Sequence, residues 1–290
     1  MRKRNVFLVL VLMLFLAATA LISTKVFAAP QHYTPHFFVK SSKTAPLASN
    51  LTYHGGPVMK NTANVYAIFW EPTNNVQSGY NSLINRYFND VNGSGLYHNN
   101  TQYHDSTGGD PSAEHLVTSW VDTRAYPESP LLDSDIQNEV SHAQSVNGWS
   151  SSIDNIFFVF LQKKENLCFD SSQSQCASNY FCAYHSYFGS NTIYAAMPYA
   201  ASFSCNPGSS PNKNDADQTI NVTSHEQMEA ATDPLLNAWY DSSGNEIGDK
   251  CAWKFGTRNA SGGDVTWNGH SYIVQKEWDN HKINCVLTGP

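Results

Sequence analysis

The sequence predicts an α+β (mixed α/β) protein built around a central sheet, and three observations support that fold class. Apolar runs typical of buried strands cover residues 64–70, 155–161 and 193–197. A helical spacing follows the first run and places five apolar residues on one face: Tyr80, Leu83, Ile84, Tyr87 and Phe88. No internal repeat or linker interrupts residues 51–290, so we expect one domain there.

The N-terminus is expected to direct export. A basic head is followed by an apolar stretch from Val6 to Ala18, which is too short for a comfortable membrane span. The segment Val26-Phe27-Ala28 fits a signal-peptidase cut after Ala28, with an uncleaved anchor as the alternative. We therefore interpret residues 1–28 as a signal peptide and the polar residues 29–50 as an extended N-terminal arm. The mature chain would be secreted, extracellular or in a cell wall, and would not contact a membrane after cleavage.

The charge balance argues against a nucleic-acid partner. The whole chain carries a formal charge of −7. Cleavage after Ala28 would remove four basic residues and no acidic one, which gives −11 for the mature chain. A surface that binds nucleic acid needs clustered lysine and arginine instead.

The six cysteines predict three disulfide bonds. An even number of cysteines in an exported chain is typical of disulfide pairing, although six cysteines allow 15 pairings. Pairing between neighbours in sequence favours Cys168–Cys176, Cys182–Cys205 and Cys251–Cys285.

Local signals place the remaining elements. Residues 92–112 are rich in Gly, Asn, His and Asp, which predicts a loop that can hold a short strand. Ser134-x-x-Gln137 predicts a capping box at the start of a helix. Near the C-terminus, Asn268-Gly269 between two short β-type segments predicts a β-hairpin with a two-residue turn.

A further helix carries the residues with the clearest chemistry. Asp215 or Asp217 is expected to cap it, and Pro234 to end it near Thr232. On this helix, His225 and Glu229 are four residues apart and therefore share one face, where both can bind one metal ion.

This His-Glu-x-x-Glu pattern matches the zinc-peptidase pattern His-Glu-x-x-His with the second histidine replaced by glutamate. Glu226 is expected to be the general base that takes a proton from the attacking water.

A catalytic zinc ion needs a third protein ligand and an open position. Glu246 and Asp249, 17 and 20 residues beyond Glu229, are nearly equal candidates for that ligand. Asp233 and His185 rank behind them, because Pro234 should turn Asp233 away from the metal-binding face.

Four segments resemble the phosphate-induced protein 1 family, also called EXORDIUM-like. Residues 51–58 (LTYHGGPV) and 64–70 (NVYAIFW) resemble its opening, and residues 181–185 (FCAYH) and 220–234 fit the same family. The resemblance extends from residue 51 to the C-terminus and implies a secreted or cell-wall protein. Plant members do not generally carry the His-Glu-x-x-Glu ligands, so the chain looks more like bacterial secreted relatives with a zincin-like helix.

Together these observations favour a secreted zinc-dependent hydrolase with a single zincin-like, disulfide-bonded domain. Its metal ligands would be His225, Glu229 and either Glu246 or Asp249, its cofactor Zn²⁺, and its substrate a peptide or protein. The alternative is a non-catalytic extracellular protein that binds cell-wall carbohydrate or a partner and retains a degenerate zincin fold.

Overall fold

Strands and helices alternate along the part of the chain that the computed structural model describes, residues 35–40, 49–60 and 62–290. The predicted signal peptide, residues 1–28, lies outside these residues. The strands are β1 (Phe37–Val39), β2 (Thr52–Tyr53), β3 (Thr62–Trp70), β4 (Ala113–Asp122), β5 (Leu131–Leu132), β6 (Asn155–Leu161), β7 (Leu167–Cys168), β8 (Phe181–Phe188), β9 (Thr192–Met197), β10 (Trp239–Tyr240), β11 (Val265–Trp267), β12 (His270–Tyr272), β13 (Glu277–Asp279) and β14 (Asn284–Val286). The helices are α1 (Tyr80–Val91), α2 (Gly95–His98), α3 (Asp133–Asn147) and α4 (Ala216–Thr232), and 3₁₀ turns cover Asn99–Gln102, Ala200–Ser202 and Asp249–Cys251.

A mixed sheet of six strands in the order β1-β8-β9-β6-β3-β4 forms the centre of the fold. The strands from β9 to β4 are parallel to their neighbours, whereas β8 is antiparallel to β9 and β1 is antiparallel to β8. Parallel neighbours need crossover connections, and α1 and α3 lie in those connections. This mixed sheet with interspersed helices confirms the predicted fold class.

The three predicted buried strands are confirmed as β3, β6 and β9. Every residue of β6 and β9 is buried, because helices cover both faces of the sheet. On one face, Ile84 of α1 and Met228 of α4 join the larger apolar core. On the other face, Ile136 and Val140 of α3 join a second core. No helix in the described residues is long and apolar enough to cross a membrane.

The predicted capping box of Ser134 and Gln137 at the start of α3 is wrong. Leu132 is the N-cap residue, and its backbone N–H donates to the carboxylate of Asp135 at 2.8 Å. Ser134 therefore lies inside the first turn. An acidic residue at this position also complements the positive end of the helix dipole, so Asp135 serves both roles.

One further local prediction is corrected, and another is confirmed in its position. Residues 92–112 contain α2 and a 3₁₀ turn rather than a strand. Asp215 is the N-cap residue of α4, as predicted, although its side chain makes no capping bond and instead accepts from the Tyr199 hydroxyl. Asp217 lies in the first turn, and its side chain accepts from the preceding loop. The helix ends at Thr232 as predicted.

The three disulfide pairings and the C-terminal hairpin are confirmed. The disulfides join Cys168 to Cys176, Cys182 to Cys205 and Cys251 to Cys285. Asn268 and Gly269, with φ of 48° and 82°, form the turn between β11 and β12. Positive φ at both central residues is the requirement of the type I′ turn that Asn-Gly favours.

The predicted N-terminal arm is joined to the sheet. Of residues 29–50, the structure describes 35–40 and 49–50, and Phe37–Val39 form the edge strand β1 against β8. The sequence prediction of an extended segment did not foresee this pairing.

Candidate metal centre

Helix α4 places polar side chains in the interior of the protein, against β8 and β9. Sixteen of its 17 residues are buried, including His225, Glu226 and Glu229. One helical turn separates His225 from Glu229, and His225 Nε2 lies 3.1 Å from Glu229 Oε2. Two ligands in tetrahedral geometry, each about 2 Å from a zinc ion, lie about 3.3 Å apart. The spacing of these two atoms therefore fits a shared ion.

Asp249 approaches the same pair from the 3₁₀ turn that follows α4 in the chain. Its Oδ1 lies 3.8 Å from His225 Nε2, and its backbone N–H donates to Glu229 Oε1 at 2.9 Å. That bond directs the other oxygen of Glu229, Oε2, towards His225. His225, Glu229 and Asp249 form one of the groups in the described residues that could hold a metal ion, with one ligand atom from each within 4.8 Å of the others.

Gly248 allows this approach of the turn to the helix. A Cβ at position 248 would lie 2.6 Å from His225 Nδ1 and 3.0 Å from Glu229 Oε1. The backbone of Gly248 has ordinary helical angles, so the absence of a side chain matters here for space and not for conformation.

Glu246 and His185 belong to a neighbouring part of the cluster. His185 Nε2 lies 3.7 Å from Glu246 Oε1, and His185 Nδ1 lies 3.8 Å from Glu229 Oε2. These three residues form a second group that could hold a metal ion. The geometry thus groups Asp249 with His225, whereas Glu246 is grouped with His185.

Asp233 contributes its backbone to the cluster. Its side-chain Oδ1 accepts from the backbone N–H groups of Asn237 and Ala238, at 2.6 and 2.7 Å. These bonds occupy that oxygen in the turn after α4, which agrees with the expected effect of Pro234. The Asp233 carbonyl lies 3.4 Å from His185 Nε2.

Glu226 follows His225 on α4 and is fully buried. Its Oε2 is 3.3 Å from His185 Nδ1, and its Oε1 has no hydrogen-bond partner. Burial raises the pKa of Glu226 to about 8, although the charge of His225 opposes this shift. A carboxyl group with this pKa is largely protonated at pH 7, and a cation bound nearby would favour its ionised form, which is the form that a general base needs.

Burial also changes the pKa of the other acidic groups. Burial raises the pKa of Glu229 and of Glu246 well above the usual value, and neighbouring carboxylates raise both further. Burial alone would raise the pKa of Asp249 as well, but the hydrogen bond with His36 and the charges of His225 and His36 outweigh it and hold this pKa below its usual value. Burial lowers the pKa of His185 to about 4. The cluster therefore holds an excess of acidic groups that burial disfavours as anions.

Several atoms at the centre of the cluster lack hydrogen bonds. His225 Nε2 and Glu229 Oε2 lie 3.1 Å apart as an ion pair but make no hydrogen bond of ordinary geometry, and Glu226 Oε1 and both side-chain oxygens of Glu246 also lack one. Buried polar atoms in native proteins are nearly always paired, so such a concentration needs an explanation. A divalent cation would satisfy these atoms and offset the excess acidity, and the mixed imidazole and carboxylate donors are those that zinc accepts.

Sequence reasoning missed four contributors to this site. Gln275 Nε2 lies 2.9 Å from His225 Nδ1 and donates to the Gly248 carbonyl at 3.0 Å. Glu277 is fully buried next to it. His36 Nδ1 lies 3.6 Å from Asp249 Oδ2 and 3.8 Å from Glu246 Oε2. The fourth contributor is Gly248, which could have been found because it directly precedes the candidate ligand Asp249. Gln275, Glu277 and His36 are remote from the helix in sequence, and no local pattern identifies them.

The chain is similar to two plant proteins of the EXORDIUM-like family, both at low sequence identity. The chain is 25% identical to the protein EXORDIUM-like 5 of Arabidopsis thaliana over 300 residues, covering 86% of this chain and 81% of the relative. It is 26% identical to EXORDIUM-like 3 of the same plant, covering 86% of this chain and 87% of the relative. This similarity over most of the chain supports the resemblance to the EXORDIUM-like family. No protein-family model and no solved structure matches the chain.

Proposed function

We propose that the protein is a secreted, zinc-dependent hydrolase that acts on peptides. The convergence of His225, Glu229 and Asp249 carries this proposal, because their ligand atoms face one another at distances that suit a single ion. Glu246 and His185 form a second group with Glu229. These two residues would supply further ligands to the same ion or bind a second cation. When bound, zinc would supply a Lewis acid that polarises the carbonyl of the scissile bond.

Glu226 would take the proton from the attacking water. Its Oε1 has no hydrogen-bond partner and is available for a proton, while its Oε2 lies 3.3 Å from His185 Nδ1. His185 would therefore orient the carboxyl group, as partners of catalytic residues commonly do. The helix fixes Glu226 next to His225, so base and metal ligand move together.

The zincin-like fold and the secreted location form part of the same proposal. Three disulfides are typical of proteins in an oxidising compartment, and the resemblance to EXORDIUM-like proteins implies an extracellular setting. Helix α4 packs on β8 and β9 at the antiparallel end of the mixed sheet, where β1 is paired with β8. An extended peptide can pair with a sheet at such an end, close to the candidate ligands.

A second candidate is a non-catalytic extracellular protein in which the metal is structural. The complete burial of His225, Glu226 and Glu229 favours it, because a substrate cannot reach side chains that are 0% exposed. A structural ion would then hold α4 and the 3₁₀ turn together in the way that buried zinc stabilises small domains.

The substitution Glu226→Gln separates these two candidates. It keeps the size of the side chain and removes its basicity, so the variant should bind zinc as the parent does. Hydrolysis of casein by the zinc-loaded mature chain should fall by about 10²–10⁴-fold, the scale of losing a general base.

Glu114→Gln is the matched control. Glu114 is also buried and contacts α4 through Gln227, but its carboxyl group lies outside the metal-ligand groups. This variant should retain zinc and activity. Loss of zinc in Glu226→Gln would make Glu226 a ligand, and equal hydrolysis by Glu226→Gln and its parent would exclude the proposed mechanism.

A further inference from the structure

Strand β1 lies directly over the candidate metal centre. The Phe38 ring stacks on the His225 imidazole, with centroids 4.0 Å apart and an interplanar angle of 11°. The indole of Trp253 stacks on the same phenyl ring at 4.7 Å. Phe38 is 0% exposed, so its side chain fills a slot between His225 and Trp253.

Main-chain contacts hold this strand in place. Phe37 and Phe38 are aligned with Tyr184 and Ala183 of β8 in antiparallel register. The Trp253 indole N–H donates to the Val39 carbonyl at 2.9 Å. Backbone pairing of this kind does not depend on side-chain identity, so another extended peptide can form it equally well on the same strand edge.

His36 extends the covering towards solvent. Its imidazole lies between the acidic residues Glu246 and Asp249 and solvent, and the side chains of His36 and Asp249 are 32% and 17% exposed. The other candidate ligands are 0 to 1% exposed. The outer edge of the centre therefore opens beside His36, where a cleft of about 440 Å³ is lined by Pro35, His36, Gly244 and Asp249 among others.

We propose that residues 35–40 occupy the groove in which an extended peptide substrate pairs with β8, and that this segment covers the site until it is displaced. The inference rests on the proposed hydrolase function and names its substrate class and its regulation. While β1 is in place, His225, Glu226 and Glu229 are 0% exposed and the Phe38 ring covers the His225 imidazole. Hydrolysis by the uncut chain would therefore be limited by displacement of β1, and the cut chain should hydrolyse casein faster.

The alternation of side chains along β1 defines the preferred peptide. Phe38 faces the metal centre, whereas Phe37 faces the opposite side of the sheet and stacks on Phe181 at 5.2 Å. A peptide in the same register would place one aromatic side chain in the slot between His225 and Trp253. We therefore expect selection for extended, unfolded segments with an aromatic residue at that position.

A cleavable arm tests this inference. In the mature chain, a recognition sequence for tobacco etch virus protease would replace residues 42–47, between β1 and the rest of the domain. The probe is a fluorescein-labelled peptide with the sequence of residues 35–41, PHFFVKS. By fluorescence anisotropy at nanomolar protein, it should bind the cut protein and not the uncut one.

A second peptide, with alanine in place of Phe38, provides the matched comparison. Its affinity should be at least about tenfold lower, because it lacks the buried phenyl ring. The first peptide should also slow removal of zinc from the cut protein by a chelator. Equal binding of both peptides, or absence of binding to the cut protein, would overturn the inference.

The same experiment distinguishes this inference from the proposed function. Peptide binding that protects zinc in a cut protein without casein hydrolysis would support the groove and contradict the hydrolase. Hydrolysis of casein at the same rate by cut and uncut protein would support the hydrolase and contradict the covering role of β1.

Two variants of the uncut chain keep the test valid if cutting unfolds the protein. Phe38→Ala should increase the rate of zinc removal by a chelator at least about tenfold, because the ring over His225 is lost. Phe37→Ala removes an identical ring from the opposite face of the same strand and should change this rate much less. Equal rates in Phe38→Ala and the parent would contradict the inference.

Discussion

Two groups of buried carboxylates, one next to α3 and one next to α4, differ in the source of their positive charge. Beside α3, Arg124 Nε donates to Asp122 Oδ2 at 2.6 Å, and its guanidinium also bonds to Glu139. Beside α4, Glu229 and Glu246 keep side-chain oxygens without hydrogen bonds. The group next to α3 contains a cation, the Arg124 guanidinium. The group next to α4 contains carboxylates and imidazoles, and no lysine or arginine pairs with Glu229 or Glu246 among the described ion pairs.

The difference indicates what each group is for. A chain can offset the charge of buried carboxylates with an arginine, as Arg124 does for Asp122 Oδ2 and Glu139 Oε2. The other side-chain oxygen of Glu139, Oε1, has no hydrogen bond. Near α4, the acidic groups face histidines, which are ligands for metals as well as bases. We interpret the α3 group as a self-contained structural network and the α4 group as a site completed by a cation.

The largest expected effect is stabilisation of the α4 group by zinc. Zinc at 1,000 times its dissociation constant should raise the free energy of unfolding by about 4 kcal/mol, because it binds the folded chain. Thermal unfolding with and without a chelator measures this change. An unchanged melting temperature would mean that no ion is held by the folded chain.

The next effect concerns the close approach of the 3₁₀ turn to α4. Gly248→Ala should cost about 1–3 kcal/mol and weaken zinc binding, because the new methyl group would displace His225. Gly109→Ala is the control, since its Cβ would meet only the flexible side chain of Lys60, at 2.8 Å. Equal zinc affinity in Gly248→Ala and the parent would place the ion away from His225.

The α3 group should respond to loss of its cation alone. Arg124→Met should lower the free energy of unfolding by about 1–2 kcal/mol, a modest value because the arginine is 48% exposed. In a Glu139→Gln background the cost should be smaller, since one carboxylate no longer needs a partner. Zinc should change neither result, and a zinc-dependent change would show that the two groups are coupled.

The smallest expected effect is a pH dependence of the free energy of unfolding that comes from the ion pair between Lys60 and Asp105. Burial alone would raise the pKa of Asp105, but hydrogen bonds from Lys60 and Thr107 lower it to about 2. The folded state thus prefers the ionised form, so the pair contributes stability above the unfolded pKa near 4 and loses it as the pH falls towards 2. Because Lys60 is 34% exposed, we expect at most about 1 kcal/mol.

Denaturant unfolding of the parent and Asp105→Asn at pH 2 and pH 6 checks this value. The variants should differ at pH 6 and converge at pH 2. A difference that grows as the pH falls would contradict the assigned direction of the pKa shift.

Much of the fold could be predicted from local sequence because its strongest signals are local. Strands β3 and β6 are continuous apolar runs, and the Asn268-Gly269 turn needs only two residues. Strand β4 escaped prediction because it lies at the sheet edge and mixes exposed and partly buried residues. Strand β8 escaped prediction because it contains the polar residues His185 and Ser186. His185 is buried next to Glu226 of α4, a contact that the local sequence does not reveal.

The site was predictable only where its residues share one helix. His225, Glu226 and Glu229 follow from helical geometry, and the acidic segment downstream supplied Glu246 and Asp249 as candidates. The grouping of Asp249 with His225 depends on a 3₁₀ turn and on Gly248, which spacing alone does not specify. His36 and Phe38 reach the site through pairing between strands nearly 150 residues apart, and no local pattern encodes it.

Zinc content of the purified chain tests the central claim most directly. The mature protein, prepared without chelator, should contain about one zinc ion per chain by elemental analysis. His225→Ala should retain well below that amount, because no neighbour replaces the imidazole, whereas His98→Ala, which alters an exposed histidine outside the cluster, should match the parent. Full zinc occupancy in His225→Ala, or no zinc in the parent, would contradict the assignment of the metal centre to α4.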